Sequence, residues 1–236
     1  MQRKSLATSK RRKPLCLAAF PDSKISGVLA SDCLIVGVDE VGAGCLAGPL
    51  VAAAYAYRLN SPWVSLASDS VPVRIIDSKM LSDKRREEAF QWLECAEGGA
   101  HEIVEITPTQ IDEINIYQAR MLALTLAVQR LLKKVGNYEY LFIGVDGNVV
   151  PGGLAELVSP SCKVLAVTKG DQKLFSIAAA SIVAKQYRDS LMASLSSEYP
   201  HYSWESNVGY PTRDHKQAIN DHGPTPLHRR SFNWSL

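Results

Sequence analysis

The chain has 236 residues, of which 46% are hydrophobic and 21% are charged, so it can bury a core and is not a disordered tail. Its net charge of +2 combines a basic start, with six Lys and Arg and no acid in residues 1–13, an acidic middle and a basic last third. This distribution excludes a uniformly basic coat protein for nucleic acid.

The start of the chain predicts a flexible segment followed by a hairpin. Residues 1–30 mix basic, Ser and Pro residues without periodicity, as expected for a flexible head. The continuous apolar run Leu34–Val38 is typical of a strand buried on both faces. Leu50–Tyr57 predicts a second strand, antiparallel to the first, because glycines interrupt the short connection between them. A loop containing Ser and Pro is expected over residues 60–72.

Helices and a strand alternate in the middle of the chain. Ser82 is a predicted N-cap for a helix that runs through Cys95. Ile103–Ile106 predicts a short strand. A polar turn is expected after Pro108, and apolar residues at helical spacing then predict a long helix over Ile114–Lys134.

The remaining elements predict an α/β fold. Tyr140–Val145 and Lys163–Val167 are two further apolar strands, and Ser176–Leu195 predicts an alanine-rich helix. A short helix is expected near Thr212–Asn220. Strands and helices in this order predict a mixed sheet, since the first connection is a hairpin.

The cysteines and the apolar runs predict a cytoplasmic protein without membrane contact. Five scattered cysteines form no Cys-x-x-Cys pair, which favours reduced thiols over a disulfide or zinc framework. The longest apolar run, Cys45–Tyr57, is too short to span a bilayer. Leu15–Phe20, after the basic head, is too short for the hydrophobic region of a signal peptide.

Carboxylates follow three of the predicted strands. Asp39 and Glu40 follow the first, Asp146 follows the fourth, and Asp171 follows the fifth after a short turn. Each also has an ordinary explanation: a solvated acidic turn, an Asp-Gly β-turn, or an acid that favours a helix dipole. Sites in α/β sheets nevertheless collect outside strand ends, and oxygen ligands without His or Cys suit Mg²⁺ or Mn²⁺.

Two such ions can activate a water and stabilise the leaving oxygen of a phosphodiester, so the acids predict metal-dependent phosphodiester hydrolysis. The chain has no dinucleotide-binding glycine motif, no P-loop and no nucleophile elbow, which excludes those alternative chemistries.

A series of motifs supports this interpretation. In chain order they are Asp39-Glu40-Val41-Gly42, Ala47-Gly48-Pro49, Asp77-Ser78-Lys79, Val145-Asp146-Gly147, Lys169-Gly170-Asp171, the run Ser176–Lys185, Gly209-Tyr210 and His228-Arg229. From about residue 34 to 233, the chain resembles the type 2 ribonucleases H, the bacterial ribonuclease HII family.

The resemblance implies a ribonuclease H-like mixed five-stranded sheet flanked by helices, with a C-terminal helical extension. It implies a metal-dependent endonuclease that cuts the RNA strand of RNA–DNA hybrids. Such an enzyme also nicks 5′ of ribonucleotides embedded in duplex DNA, leaves 3′-hydroxyl and 5′-phosphate ends, and initiates ribonucleotide excision in DNA replication and repair. Mn²⁺ or Mg²⁺ is the implied cofactor, and a monomer is expected. The implied catalytic and metal-binding residues are Asp39, Glu40, Asp146 and Asp171.

The resemblance also implies a set of substrate-binding residues. Backbone amides of a glycine loop and the ring of a tail tyrosine would sense the 2′-hydroxyl that separates RNA from DNA. These residues are Gly42, Ala43, Gly44 and Tyr210. Lys79 is a candidate phosphate contact or a solvated lysine that opens a helix. Ser181, Lys185 and Arg188 form one helical stripe, for which structural and substrate-facing roles both stay open.

The chain departs from the family pattern in one important position. The family loop is typically Gly-Arg-Gly, whereas Ala43 here removes a guanidinium that could hold a phosphate. A second hypothesis is therefore a hybrid-binding protein that has lost catalysis. We expect residues 31–195 to form the catalytic domain and residues 196–236 to form a substrate-binding extension, in which His215 and His228 have capping or packing roles.

Overall fold

A mixed sheet of five strands forms the centre of the protein, which a computed structural model describes over residues 33–58 and 75–235. The strands are β1 (Cys33–Val41), β2 (Leu50–Arg58), β3 (Gly99–Ile106), β4 (Tyr140–Asp146) and β5 (Cys162–Val167), in the order β3-β2-β1-β4-β5. β2 pairs antiparallel with β1 and β3, whereas β4 pairs parallel with both β1 and β5. This confirms the predicted mixed sheet and its first hairpin. The head over 1–30 and the loop over 60–72 lie outside the described residues.

Helices cover both faces of this sheet. In the described ranges they are α1 (Asp83–Cys95), α2 (Pro108–Val135), α3 (Gly152–Ala155), α4 (Phe175–Glu198), α5 (Trp204–Asn207) and α6 (Arg213–His222). The apolar side of α2 packs on one face, and α1 and α4 pack on the other. None of the helices in these ranges is both long enough and apolar enough to cross a membrane.

The buried helix α4 approaches the sheet closely because β1 contains a glycine. A Cβ atom added to Gly37 would lie 2.2 Å from the backbone carbon of Ser176. Ala178, Ala179, Ala180 and Ala184 in the first half of α4 are almost fully buried, so small side chains on both elements permit the contact. This packing brings the start of α4 to the centre of the sheet.

Several predicted boundaries were wrong. The strand predicted over Ile103–Ile106 begins at Gly99, because its pairing with β2 extends to the Gly99–Tyr57 pair. The first strand continues through Asp39 and Glu40 to Val41, because its pairing with β2 extends to the Val41–Val51 pair. The long helix begins at Pro108 instead of Ile114, with a kink at Asn115, whose φ is 65°. Thr107 and Gln110 form a capping box at its start, a Thr-x-x-Gln signal that the sequence already contains.

The C-terminal segment forms a third core against α4 and the loop between β1 and β2. Its buried centre is Trp204, whose indole nitrogen donates to His215 Nε2 at 3.1 Å. His215 Nε2 also lies 3.1 Å from His228 Nε2, so both histidines pack inside this core. The division of the chain at residue 195 stays a prediction.

Candidate active site

Four acids lie at one edge of the sheet because parallel strands end there together. Asp39 and Glu40 are near the end of β1, and Asp146 ends the neighbouring β4. The last paired residues before Asp39 and Asp146 are Val38 and Val145, which lie opposite each other. Asp171 occupies the one-turn 3₁₀ helix Gly170–Gln172, between β5 and α4.

Asp39 is buried at the side of the sheet that α4 covers. Its Oδ1 accepts from the backbone N–H of Glu40 at 2.7 Å. Burial raises the pKa of Asp39 well above its usual value, and the negative charges of Glu40 and Asp146 raise it further, against a lowering hydrogen bond from Ser181. A bound cation would offset this accumulation of negative charge.

Glu40 faces the opposite side of the sheet, because successive side chains of a strand alternate. There its Oε1 accepts from Arg120 Nη2 of α2 at 2.6 Å. Burial raises the pKa of Glu40, whereas the charge and hydrogen bond of Arg120 lower it. The sequence analysis missed Arg120, since nothing in the helical pattern of α2 shows that this side chain reaches a strand 80 residues earlier.

A further acid, Asp77, lies close to Asp171. Asp146 Oδ1 accepts from the backbone N–H of Gly170 at 2.7 Å, which fixes the turn that carries Asp171. Burial raises the pKa of Asp171, and the charges of Asp77 and Asp146 add to this effect. Asp77 is buried and caps the 3₁₀ turn at Ser78–Met80 by accepting from Lys79 N at 3.0 Å. The sequence analysis quoted Asp77 within a motif but missed it as a neighbour of the site.

The donor set fits a hard divalent cation. All four predicted ligands are carboxylates, and Glu40 Oε2 is a buried oxygen without a hydrogen-bond partner. Within residues 33–58 and 75–235, however, no three His, Cys, Asp or Glu side chains are grouped tightly enough to hold a metal ion. Glu40 is turned towards Arg120, whereas Asp39 and Asp146 lie on the other face of the sheet.

Two buried arginines shape the glycine loop (residues 42–48), which follows these acids. Arg188 of α4 donates to the carbonyls of Ala47, Pro49 and Val208 at 2.7–3.0 Å. Arg229 of the tail donates to the carbonyl of Ala43 at 3.1 Å and twice to that of Gly48, at 2.9 and 3.1 Å. The carbonyls of the loop therefore point inwards.

The amides of the same loop are left for other partners. In the part of the chain that the structure describes, the N–H groups of Ala43 and Gly44 have no protein acceptor. Gly42 has a φ of 87°, and a Cβ atom there would lie 2.3 Å from Arg188 Nε, so a glycine is required. Gly44 faces open space.

Tyr210 lies beside the glycine loop, as the resemblance implies. The backbone N–H of Leu46 donates to the carbonyl of Gly209 at 2.7 Å, which ties the tyrosine segment to the loop. The Tyr210 side chain contacts the Cys45 thiol, and burial raises the pKa of its hydroxyl. With 39% of the residue exposed, one side of the ring is available to a ligand.

The other predicted substrate-binding residues separate into two groups. Lys79 and Lys185 line a cleft of about 760 Å³ next to the acids, and Lys185 also pairs with Asp189 at 2.7 Å, as its spacing predicts. Ser181 is buried, hydrogen-bonded to Ser78 at 3.0 Å and adjacent to Asp39. Arg188, the third member of the stripe, is completely buried and is therefore structural.

Comparison with known proteins identifies relatives along almost the whole chain. The family described as Ribonuclease HII matches residues 36–235. The ribonuclease HII of Ruegeria pomeroyi is 43% identical over 214 residues, which cover 90% of this chain and 82% of the relative. That of Magnetococcus marinus is 45% identical over 198 residues, 84% of each chain.

Solved structures show the same fold. The ribonuclease H2 of Pyrococcus horikoshii superimposes with a TM-score of 0.67 at 24% identity, over 85% of this chain and 94% of that one. The ribonuclease HII of Archaeoglobus fulgidus, solved in a complex with PCNA, gives 0.64 at 25% identity, over 85% and 95%. A Bst ribonuclease HIII solved with Mn²⁺ gives 0.63 at 18% identity, over 91% and 71%.

Proposed function

Since the chain belongs to the ribonuclease HII family, we propose that this ribonuclease H nicks duplex DNA 5′ of embedded ribonucleotides as well as cutting RNA–DNA hybrids. The products would carry 3′-hydroxyl and 5′-phosphate ends. The observation that carries the proposal is the contact between the tyrosine segment and the glycine loop, directly after the acids of β1. It brings an aromatic ring and free amides to the edge of the carboxylate site.

Each part of this arrangement has a separate task in the proposal. The amides of Ala43 and Gly44, which lack protein acceptors within the described ranges, would bind the 2′-hydroxyl. The exposed side of Tyr210 would stack on the neighbouring sugar. Lys79 and Lys185, in the cleft, would attract the phosphates of the duplex without reading its sequence.

The four carboxylates would hold Mn²⁺ or Mg²⁺. When bound, such an ion supplies an activated water and stabilises the charge on the leaving oxygen. The backbone N–H groups of Glu40 and Gly170 donate to Asp39 Oδ1 and Asp146 Oδ1, which supports this proposed role. We also propose that the protein acts as a monomer in the cytoplasm, in ribonucleotide excision during DNA replication and repair.

The proposal is tested with the charge-neutral variants Asp39→Asn and Asp146→Asn. Wild type is expected to nick a labelled duplex containing one ribonucleotide and an all-RNA hybrid when Mn²⁺ or Mg²⁺ is present. Either substitution should lower the rate by more than about 100-fold, since even groups that only support metal ligands contribute up to that factor. Extension of the nicked strand by a DNA polymerase detects the 3′-hydroxyl, and gel mobility against a ladder gives the position of the nick.

The matched control is Asp221→Asn, an exposed acid on α6 that pairs only with Gln217 among the described residues. It should cleave at the wild-type rate, and circular dichroism should show the same fold for all variants. Full activity of both site variants would refute the assignment of the carboxylates. Cleavage of the hybrid without nicking at the single ribonucleotide would refute the junction activity alone.

A further inference from the structure

Arg120 reaches the carboxylate site from the face of the sheet that α2 covers. It lies in α2, and its guanidinium contacts Glu40 Oε1 at 2.6 Å. The side chain of Glu40 is 11% exposed and that of Arg120 is 33% exposed. The arginine can therefore move into solvent, whereas the glutamate is confined to the site.

The ion pair uses only part of the bonding capacity of either group. A guanidinium and a carboxylate commonly form two parallel hydrogen bonds. Here Glu40 Oε2 and Arg120 Nε are both buried without a hydrogen-bond partner in the described part of the chain. Because an unpartnered buried carboxylate oxygen is costly, a cation that contacts both oxygens of Glu40 would bond it more completely than Arg120 does.

Glu40 and the two aspartates lie on opposite faces of the sheet, which limits how a divalent cation can bind them together. Asp39 and Asp146 lie on the face that α4 covers, whereas Glu40 lies on the face of α2. The described acids form no group of three that could share an ion, and Glu40 is held by Arg120 on the opposite face from Asp39. A divalent cation that binds Glu40 together with Asp39 must therefore draw the carboxylate away from the guanidinium.

We propose that Arg120 is a positioning residue that occupies Glu40 in the empty site and competes with the divalent cation for it. The inference rests on the proposed function, because it assumes that Glu40 is a metal ligand. It goes further by assigning a role to a residue outside the four acids. Ion entry then exchanges one cation for another at Glu40, so the buried glutamate always keeps a positive partner.

The test is calorimetric titration of the metal-free full chain with Mn²⁺ alone, at about pH 8, to favour ionised carboxylates. Arg120→Met should bind Mn²⁺ about tenfold more tightly than wild type, because a competing charge next to the ligand has been removed. Arg120→Lys keeps the charge with poorer geometry and should bind Mn²⁺ with an affinity between the two. Arg130→Met, which removes an exposed charge from the same helix, should bind as wild type does.

A double-mutant cycle with Glu40→Gln separates direct competition from a general charge effect. In that background, Arg120→Met should no longer change the affinity for Mn²⁺. Unchanged or weaker binding by Arg120→Met, or equal tightening in both backgrounds, would overturn the inference and leave the proposed function intact. If Arg120→Met does not fold, Arg120→Lys decides by the same criterion. A wild type that binds no Mn²⁺ would overturn both the inference and the proposed metal site.

Discussion

Arg188 offers the sharpest test of how this molecule builds its site, because it is a fully buried cation without a carboxylate partner among the described residues. It binds three carbonyls from two segments that are distant in sequence, the glycine loop with Pro49 and the tyrosine segment. Replacing it with Met keeps most of the apolar stem and removes all three hydrogen bonds. The substitution therefore measures the contribution of the guanidinium to stability, separately from that of the apolar stem.

The cost of Arg188→Met follows from those contacts. The carbonyls of Ala47 and Pro49 would stay buried without this donor. A buried group that loses its partner costs about 1–3 kcal/mol. The removal of an unpaired buried charge recovers part of the loss, so the free energy of unfolding should fall by about 3–4 kcal/mol. In a chain of this size that corresponds to a Tm lower by roughly 10 °C.

Urea unfolding followed by circular dichroism measures this difference. Lys185→Met is the matched control, since it removes a charge one turn earlier on the same helix, from an ion pair with Asp189 in which the two side chains are 19% and 22% exposed. That pair should contribute no more than about 1 kcal/mol, whereas the loss of Lys185 should weaken binding to an RNA–DNA hybrid at low salt. Equal stability of Arg188→Met and wild type, together with weakened hybrid binding, would refute the structural role and restore a substrate-facing one.

Two further predictions concern the tail and the glycine loop. Burial and the neighbouring His215 lower the pKa of His228 to about 4. Below about pH 6.5 the unfolded chain therefore binds a proton at this residue, whereas the folded protein keeps the imidazole neutral until about pH 4. Stability from this group is complete above about pH 6.5 and is lost as the pH falls towards 4, by about 3 kcal/mol. His228→Asn should flatten that pH dependence in urea unfolding, and an unchanged slope would contradict the assignment. Ala43→Arg should raise the ratio of single-ribonucleotide nicking to hybrid cleavage about fivefold, because it adds a phosphate contact. An unchanged ratio would mean that another group already supplies it.

The order of strands and helices could be predicted because long apolar runs and helical spacing are local properties. The acids could be predicted for a related reason, since charged residues at the end of an apolar run are conspicuous. The end of β1 could not be predicted, because pairing with β2 extends the strand through Asp39 and Glu40 to Val41. Local polarity ended the predicted strand, and tertiary hydrogen bonding extended the real one.

The cations of the site could not be predicted in the same way. Arg120, Arg188 and Arg229 occupy helices or tail segments where an arginine is ordinarily solvated, and only packing brings them to Glu40 or to the carbonyls of the glycine loop. Their burial depends on contacts across many residues of sequence, for which periodicity carries no signal. The acids, Lys79, Lys185 and Arg188 were therefore named from the sequence, whereas Arg120 was missed and the carbonyl contacts of Arg188 and Arg229 were not foreseen.

The placement of these cations bears on the alanine at position 43. Arg188 and Arg229 donate hydrogen bonds to carbonyls of the glycine loop and of Pro49, and Arg120 pairs with Glu40. None of the three arginines therefore presents a free guanidinium to a phosphate. Lys79 is exposed in the cleft beside α4, where Lys185 is paired with Asp189, and the exposed Lys169 lies two residues before Asp171. In the proposed function, attraction of the substrate backbone would fall to exposed lysines such as Lys79, while the glycine loop would keep its amides for the 2′-hydroxyl. Affinity for the duplex and recognition of the 2′-hydroxyl would then be carried by different surfaces, and the salt dependence of binding should follow the lysines rather than the loop.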